Sequence, residues 1–263
     1  MRVARFAREG EDPRYAVVDE PGSGESGDQL VVLKGDPMFA GFQPTGERIP
    51  LSSDVKLLAP VIPRSKVVCV GMNFPEHRSE LEFAGPNNPV IFLKPNTAVI
   101  GPGDAIRIPP VDGRIVHEGE LAVVIGGIGK QVPAKDWKSI VFGYTIGNDV
   151  SARDVMFRDG QWARAKGYDT FCPLGPWIET ELDPGDLEIT TYVDGEQRRH
   201  GRTSDLLYPI PELIEFITDV WTLLPGDVIL TGTPAGPGGF VEGQVVDIDI
   251  EGIGRLSNPA RRR

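Results

Sequence analysis

The chain has 263 residues, 40% of them hydrophobic and 25% charged, which fits one large globular domain or a small one joined to a larger, and excludes a disordered or fibrous chain. With 38 acidic against 27 basic residues the formal charge is −11, which opposes binding to phosphate backbones or anionic lipid. No apolar run approaches the roughly 20 residues of a bilayer span, and MRVARFAREGEDPR at the amino terminus has no apolar signal core. The expectation is a soluble, cytoplasmic protein that serves neither nucleic acid nor membrane.

Short strand-like pieces come first (RVARFA, YAVVD, QLVVLKG), separated by the flexible DEPGSGESGDQ. They predict a small, mostly β amino-terminal domain over residues 1–62, with the prolines of LAPVIPRSK as a linker into a larger domain, 63–263. There GMNFPEHRSEL reads as a short helix with Asn73 as cap, Pro75 in its first turn and Glu76 closing a capping box. That helix puts His77 and Glu80 on one face, where a carboxylate fixes the imidazole tautomer and raises its basicity; alone, such a pair is also an ordinary surface pair.

Further along, KVVCVG, PVIFLKP, ELAVVIGGIG, IVFGYTIGNDV, LEITTYVDGEQ, DVILTGTP and VVDIDIEGIGRL have the length and composition of strands, with Asp194-Gly195 as a tight hairpin turn. One helix stands out, PELIEFITDVWTLL, with Leu213, Ile214, Ile217, Val220 and Trp221 at three- and four-residue steps, ending at Pro225-Gly226. The fold class is therefore α/β but β-rich, without regular strand-helix alternation. Cys69 and Cys172 lack metal or redox spacing and read as buried small hydrophobes. His200 reads as a polar loop residue, and Arg261, Arg262 and Arg263 as a frayed tail.

The chemistry concentrates in VHEGELAVVIG. In a strand alternate side chains share a face, so Glu118 and Glu120 project side by side while His117 and Gly119 face the other way. Two like charges held together cost free energy unless a proton or cation lies between them. A solvated strand face is the plain reading of such a pair, but IVFGYTIGNDV ends in a third carboxylate, Asp149. Three hard oxygen ligands suit Mg²⁺ or Mn²⁺; zinc fits less well, because Leu121 stands where H-E-x-x-H needs its second histidine. The glycine-rich DVILTGTPAGPGG offers backbone N–H groups around Gly232 and the Thr231 and Thr233 hydroxyls to a carboxylate or developing oxyanion. Lys166 and Arg153 complete the inventory of cations.

VGMNFPEH, FLKP, HEGELAVVIG, GYTIGNDVSARD, QWARAKGYDTFCPLGPW and GDVILTGTPAG resemble, in order, the successive motifs of the fumarylacetoacetate hydrolase family. The resemblance implies a rolled, mixed β-sheet domain with a divalent-metal site and an assembly of at least a homodimer. It implies metal ligands Glu118, Glu120 and Asp149, a mobile lid around residues 73 to 85 carrying a His77–Glu80 dyad, a catalytic Lys166, and substrate contacts from Arg153, Gly232 and Thr233. Met156 departs from the pattern, since many members carry glutamine there, and that puts one polar substrate contact in question. The activity so implied is metal-dependent chemistry on a 2-oxo acid, first of all hydrolysis of the C–C bond of an acylpyruvate such as fumarylpyruvate. Isomerisation or decarboxylation of a hydroxydienedioate, oxaloacetate decarboxylation, and a metal-binding homologue without activity are the alternatives.

Overall fold

The computed structural model describes residues 1–19, 27–80, 87–236 and 238–263; most of the stretch expected to be flexible, 19–29, lies outside them. Within the described residues a mixed sheet of twelve strands runs along the path Pro44–Pro50, Gln29–Leu33, Arg14–Asp19, Arg2–Arg8, Cys172–Glu179, Val141–Asn148, Gly119–Ile125, Val228–Leu230, Val67–Gly71, Val90–Lys94, with Val55–Leu58 and Val99–Ile100 attached beside it. A second sheet of five strands, Glu196–Arg202, Glu188–Val193, Val245–Ile250, Gly254–Arg262 and Ile106–Ile108, packs against the first. A three-stranded sheet joins Ser151–Ala152, Ile115–Val116 and Gly239–Phe240.

Gly119–Ile125 is buried along its whole length. Leu121, Val123 and Ile125 enter the core that includes Ile189, Ile248 and the helix residues Leu213, Ile214 and Ile217. Ala122 and Val124 enter the core on the opposite face, with Val67, Cys69, Cys172 and Leu230. A strand covered on both faces reads as continuously apolar rather than alternating. Each side chain of that size stabilises by about 1.5–3 kcal/mol when buried, so the strand is anchored firmly enough to carry charge at its open end.

The amino-terminal strands have a core of their own, including Ala4, Phe6, Ala16, Leu30 and Ile49. They nevertheless continue the main sheet, through Arg2 opposite Glu179 and Val3 opposite Ile178. LAPVIPRSK is a packed crossing rather than a loose linker, because Ala59 and Val61 are buried with Val67 and Cys69. Three further expectations need correction. Cys172–Glu179 is a central strand that goes unread in the sequence because Pro173 and Pro176 remove two ladder donors, and its register against Val141–Asn148 shifts between Tyr144 and Ile146. Helix Ile210–Val220 stops four residues early, Trp221 turning extended, which frees Leu223 to bridge Gly129. The terminal arginines are not frayed: Arg261 and Arg262 pair with Arg107 and Ile108. The hairpin turn is present, with positive φ at Asp194 and Gly195 between Val193 and Glu196.

Gly119, between Glu118 and Glu120, faces the second sheet at close range. A Cβ there would lie 2.5 Å from Thr191 Oγ1 and 2.9 Å from Ile248 Cγ2, short side chains fixed on core strands. Gly119→Ala should therefore destabilise by about 1–3 kcal/mol, the usual cost of overpacking. In urea titrations the midpoint should fall with little change in slope; an unchanged midpoint would mean that the sheets separate freely here.

Candidate metal centre

The ligand segments are set by two ladders that meet at the site. On one side Gly119 pairs with Asn148, and the pairing extends through Asp149 N–H donating to Glu118 O at 2.9 Å. On the other, Val116 pairs with both Ser151 and Gly239. Residues 117–118 and 149–150 are thus held between a large sheet and a small one, and Glu118 N–H donates to Asn148 Oδ1 at 3.0 Å. Glu118, Glu120 and Asp149 are buried, with one oxygen from each lying within 4.8 Å of the others. The side-by-side projection of Glu118 and Glu120 is as the strand spacing predicts, and Gly119 faces the second sheet.

Two buried ammonium groups face this cluster. Lys166, at the end of helix Ala163–Lys166, bridges Glu118 Oε2 and Asp149 Oδ2 at 2.6 Å each and lies 5.0 Å from the Phe92 ring centroid. Lys94 donates to Asp149 Oδ1 at 2.5 Å and to Val150 O at 3.1 Å. Arg153, at the head of helix Arg153–Asp159, is 3.6 Å from Glu118 Oε1, and its Nε and Nη2 have no hydrogen-bond partner among the described residues. Burial works to raise the Glu118 carboxyl, but Lys166, His77 and Arg199 outweigh it and hold it at about 2. Glu120 goes the other way: burial first, then the charges of Asp149 and Glu118, push it well above the ordinary carboxylate range. Burial works against the charge on Lys166, yet Asp149 and Glu118 overcome it and raise its pKa.

His77 is buried on helix Pro75–Glu80 and close enough for its charge to act on Glu118. The Glu80 side chain lies outside the described residues, as does much of the expected 73–85 lid. Asn73 does not occupy the expected cap position, since Arg78 N–H donates to Phe74 O and makes Phe74 the cap. Its carboxamide instead donates to Thr231 O and Tyr208 O at 2.8 and 3.1 Å and accepts from Tyr208 N–H at 2.9 Å. The Gly232 N–H donates to Glu120 Oε2 at 2.7 Å. Gly232 has φ of +109°, and a Cβ there would lie 2.8 Å from Asn73 Cβ, so only glycine brings that N–H to the carboxylate. Thr231 Oγ1 donates to Leu121 O at 2.9 Å, whereas the buried Thr233 hydroxyl has no partner among the described residues.

Met156 is buried in the apolar core beside Val155. His117 is fully buried without a hydrogen-bond partner for its ring among the described residues, and burial, then Arg199, push its pKa down to about 3. His200 lies on strand Glu196–Arg202 rather than in a loop, with Nδ1 3.2 Å from Thr190 Oγ1. Cys172 is buried, which raises its thiol to about 12 and rules it out as a nucleophile. Lys94 is the residue that motif reading passes over. The available signal is a lysine that ends an apolar strand just before a proline, a place where its charge must be buried against a partner.

The residues fit a divalent cation. Every donor in the cluster is a hard carboxylate oxygen, and Glu120 is left with like charges for neighbours and a single N–H donor, a deficit that two positive charges would remove. A cavity of about 650 Å³ lies elsewhere, between residues 108–115 and 239–244, and contains none of the triad. Chemistry belongs with the buried charges rather than with the roomier space.

Residues 66–261 match the family described as fumarylacetoacetate (FAA) hydrolase C-terminal, and residues 1–60 match the Rv2993c-like N-terminal family. The chain belongs to the fumarylacetoacetate hydrolase family. It is 41% identical over 217 residues, 78% of this chain and 69% of the other, to the mitochondrial oxaloacetate tautomerase Fahd2a of Rattus norvegicus. The crystal structure of 5-carboxymethyl-2-hydroxymuconate delta-isomerase from Mycobacterium smegmatis has a TM-score of 0.91 and 49% identity, with 100% of both chains covered. That of maleylpyruvate hydrolase from Sphingobium sp. SYK-6, with manganese(II) and pyruvate, has a TM-score of 0.79 and 32% identity, covering 100% of this chain and 99% of the other. Members of the family are thus enzymes, and the β-rich mixed-sheet architecture expected from the motifs is the one observed.

Glu120→Gln tests the reading of the triad. It removes a charge that Lys166 and the Gly232 N–H compensate only in part, so Mn²⁺ should bind ~10²-fold more weakly or worse, at least the loss typical of outer-shell changes. The metal-free melting temperature should hold or rise, because a like-charge contact disappears. Melting curves with and without Mn²⁺ decide, and an undiminished Mn²⁺ response in the variant would remove Glu120 from the site.

Proposed function

We propose that this protein is an enzyme of 2-oxo acids in which Glu118, Glu120 and Asp149 hold Mg²⁺ or Mn²⁺, and that it moves a proton between the keto and enol forms of its substrate, in the manner of an isomerase or tautomerase. The observation that carries this reading is the convergence of three buried carboxylates, two ammonium groups and an arginine on one point. When bound, the cation supplies positive charge to the oxygens of a 2-oxo acid, lowering the cost of the negative charge that builds as a C3 proton leaves.

The chain's own groups do the rest. Among the described residues the three carboxylates are matched by Lys94, Lys166 and Arg153, so a divalent cation leaves a net positive site that draws in an anion. The uncommitted Arg153 donors and the Thr233 hydroxyl suit a substrate carboxylate, and its contacts fix the reacting carbon. His77, buried and near enough for its charge to act on Glu118, is the group that would take and return the proton.

Two observations support proton transfer ahead of C–C hydrolysis. The isomerase and tautomerase relatives are 49% and 41% identical, the hydrolase 32%. Proton transfer also needs only one base, whereas hydrolysis needs an activated water as well. Hydrolysis of an acylpyruvate is the second reading, favoured by the burial of His77 against the triad.

The test is a panel with Mg²⁺: enol-oxaloacetate, 2-hydroxyhepta-2,4-diene-1,7-dioate, acetylpyruvate and fumarylpyruvate. Ketonisation or isomerisation should be fastest, be abolished by chelator, and fall about 10²–10⁴-fold in His77→Asn. Fastest release of pyruvate from an acylpyruvate would establish hydrolysis instead, and full activity in excess chelator would overturn the metal-dependent reading.

A further inference from the structure

Each carboxylate of the triad has two oxygens, and the protein keeps hold of one in at least two cases. Asp149 gives Oδ1 to Lys94 at 2.5 Å, and Lys94 is anchored a second time by Val150 O at 3.1 Å. Glu120 gives Oε2 to the Gly232 N–H at 2.7 Å. The two ammonium groups on Asp149 differ in kind. Lys166 shares Oδ2 with Glu118 Oε2, so it stands on oxygens that a cation also needs. Lys94 stands away from Glu118, with side-chain exposure of 0%, on the last residue of a strand paired along its length with Val67–Gly71. Lys94 holds Asp149 Oδ1 and leaves Oδ2 open to a cation, so its contact does not compete with the ion, whereas that of Lys166 on Oδ2 does.

We propose that Lys94 is a positioning residue that restricts Asp149 to a single-oxygen ligand and thereby sets which ion the triad accepts. The consequence follows from ion chemistry. Mg²⁺, like Mn²⁺ among hard oxygen donors, suits few carboxylates and near-octahedral geometry, whereas Ca²⁺ takes six to eight oxygens and often grips a carboxylate by both. With Asp149 Oδ1 retained by Lys94 and Glu120 Oε2 by a backbone N–H, the site cannot supply the extra oxygens that the larger ion prefers. The inference rests on the proposed reading of Glu118, Glu120 and Asp149 as a divalent-cation site and adds the source of its selectivity.

The experiment measures Mn²⁺ and Ca²⁺ dissociation constants by calorimetry in wild type, Lys94→Met and Lys94→Arg, with circular dichroism to check folding. Wild type should prefer Mn²⁺. In Lys94→Met the Mn²⁺ affinity should fall about 10–100-fold, the usual effect of losing an outer-shell partner, while Ca²⁺ holds or gains, so that the preference collapses. Lys94→Arg keeps the charge and should retain part of it. Equal losses for both ions would assign Lys94 a merely structural or electrostatic part and overturn the proposal, as would an unchanged ratio. Wild type that binds neither ion would instead refute the cation reading, and this inference with it. Should neither variant fold, a crystal structure of wild type with Mn²⁺, read by anomalous scattering, decides directly: Asp149 bound through one oxygen with Lys94 on the other supports the proposal, and a two-oxygen Asp149 ends it.

Discussion

Three carboxylates that share 4.8 Å of water-poor space repel one another, and most of the site is what holds them there. Two unit charges about 4 Å apart interact by about 4 kcal/mol at an effective dielectric of 20, so three such pairs approach the whole stability of a domain, about 5–15 kcal/mol. No local feature of the chain could impose that. The answer is distributed: lysines from two distant segments, a backbone N–H from a third, and a strand buried on both faces whose core would have to come apart before the carboxylates could separate. Glu118 and Glu120 respond in opposite directions because Lys166, with His77 and Arg199, outweighs burial at the first, whereas at the second burial and the charges of Asp149 and Glu118 outweigh Lys166 and the Gly232 N–H.

The arrangement also separates what is general from what is specific. On the proposed reading the carboxylates, their lysines, Arg153 and the glycine-rich loop deal with the charge common to any 2-oxo acid. Met156, by contrast, belongs to the apolar core. Relatives named for hydrolysis, isomerisation and tautomerisation share this fold, as expected where one means of stabilising an enolate serves several outcomes.

What could be read from the sequence follows from where each residue finds its partners. Glu118 and Glu120 were legible because a strand's period of two is a local rule, Asp149 because it ends an apolar run, and the Asp194-Gly195 hairpin because its two residues carry the turn themselves. Cys172–Glu179 was not, since two prolines argue locally against the central position that the neighbouring strands impose. Lys94 finds Asp149 fifty-five residues away, Asn73 finds Thr231 one hundred and fifty-eight away, and the terminal arginines find a strand near residue 107. Such pairings follow from topology: flanking residues show at most that a group such as Lys94 needs a partner, and never which one.

Asn73 links two parts of the site. One carboxamide ties the start of the helix that carries His77 to the carbonyl of Thr231, the residue before the N–H that holds Glu120. The helix that carries His77 and the loop that holds Glu120 therefore share a mechanical joint, and neither can shift without straining the same hydrogen bond. Coupling free energies between two sites are reciprocal. A displacement at either end loads the same short path, because the two hydrogen bonds run through consecutive residues, Thr231 and Gly232.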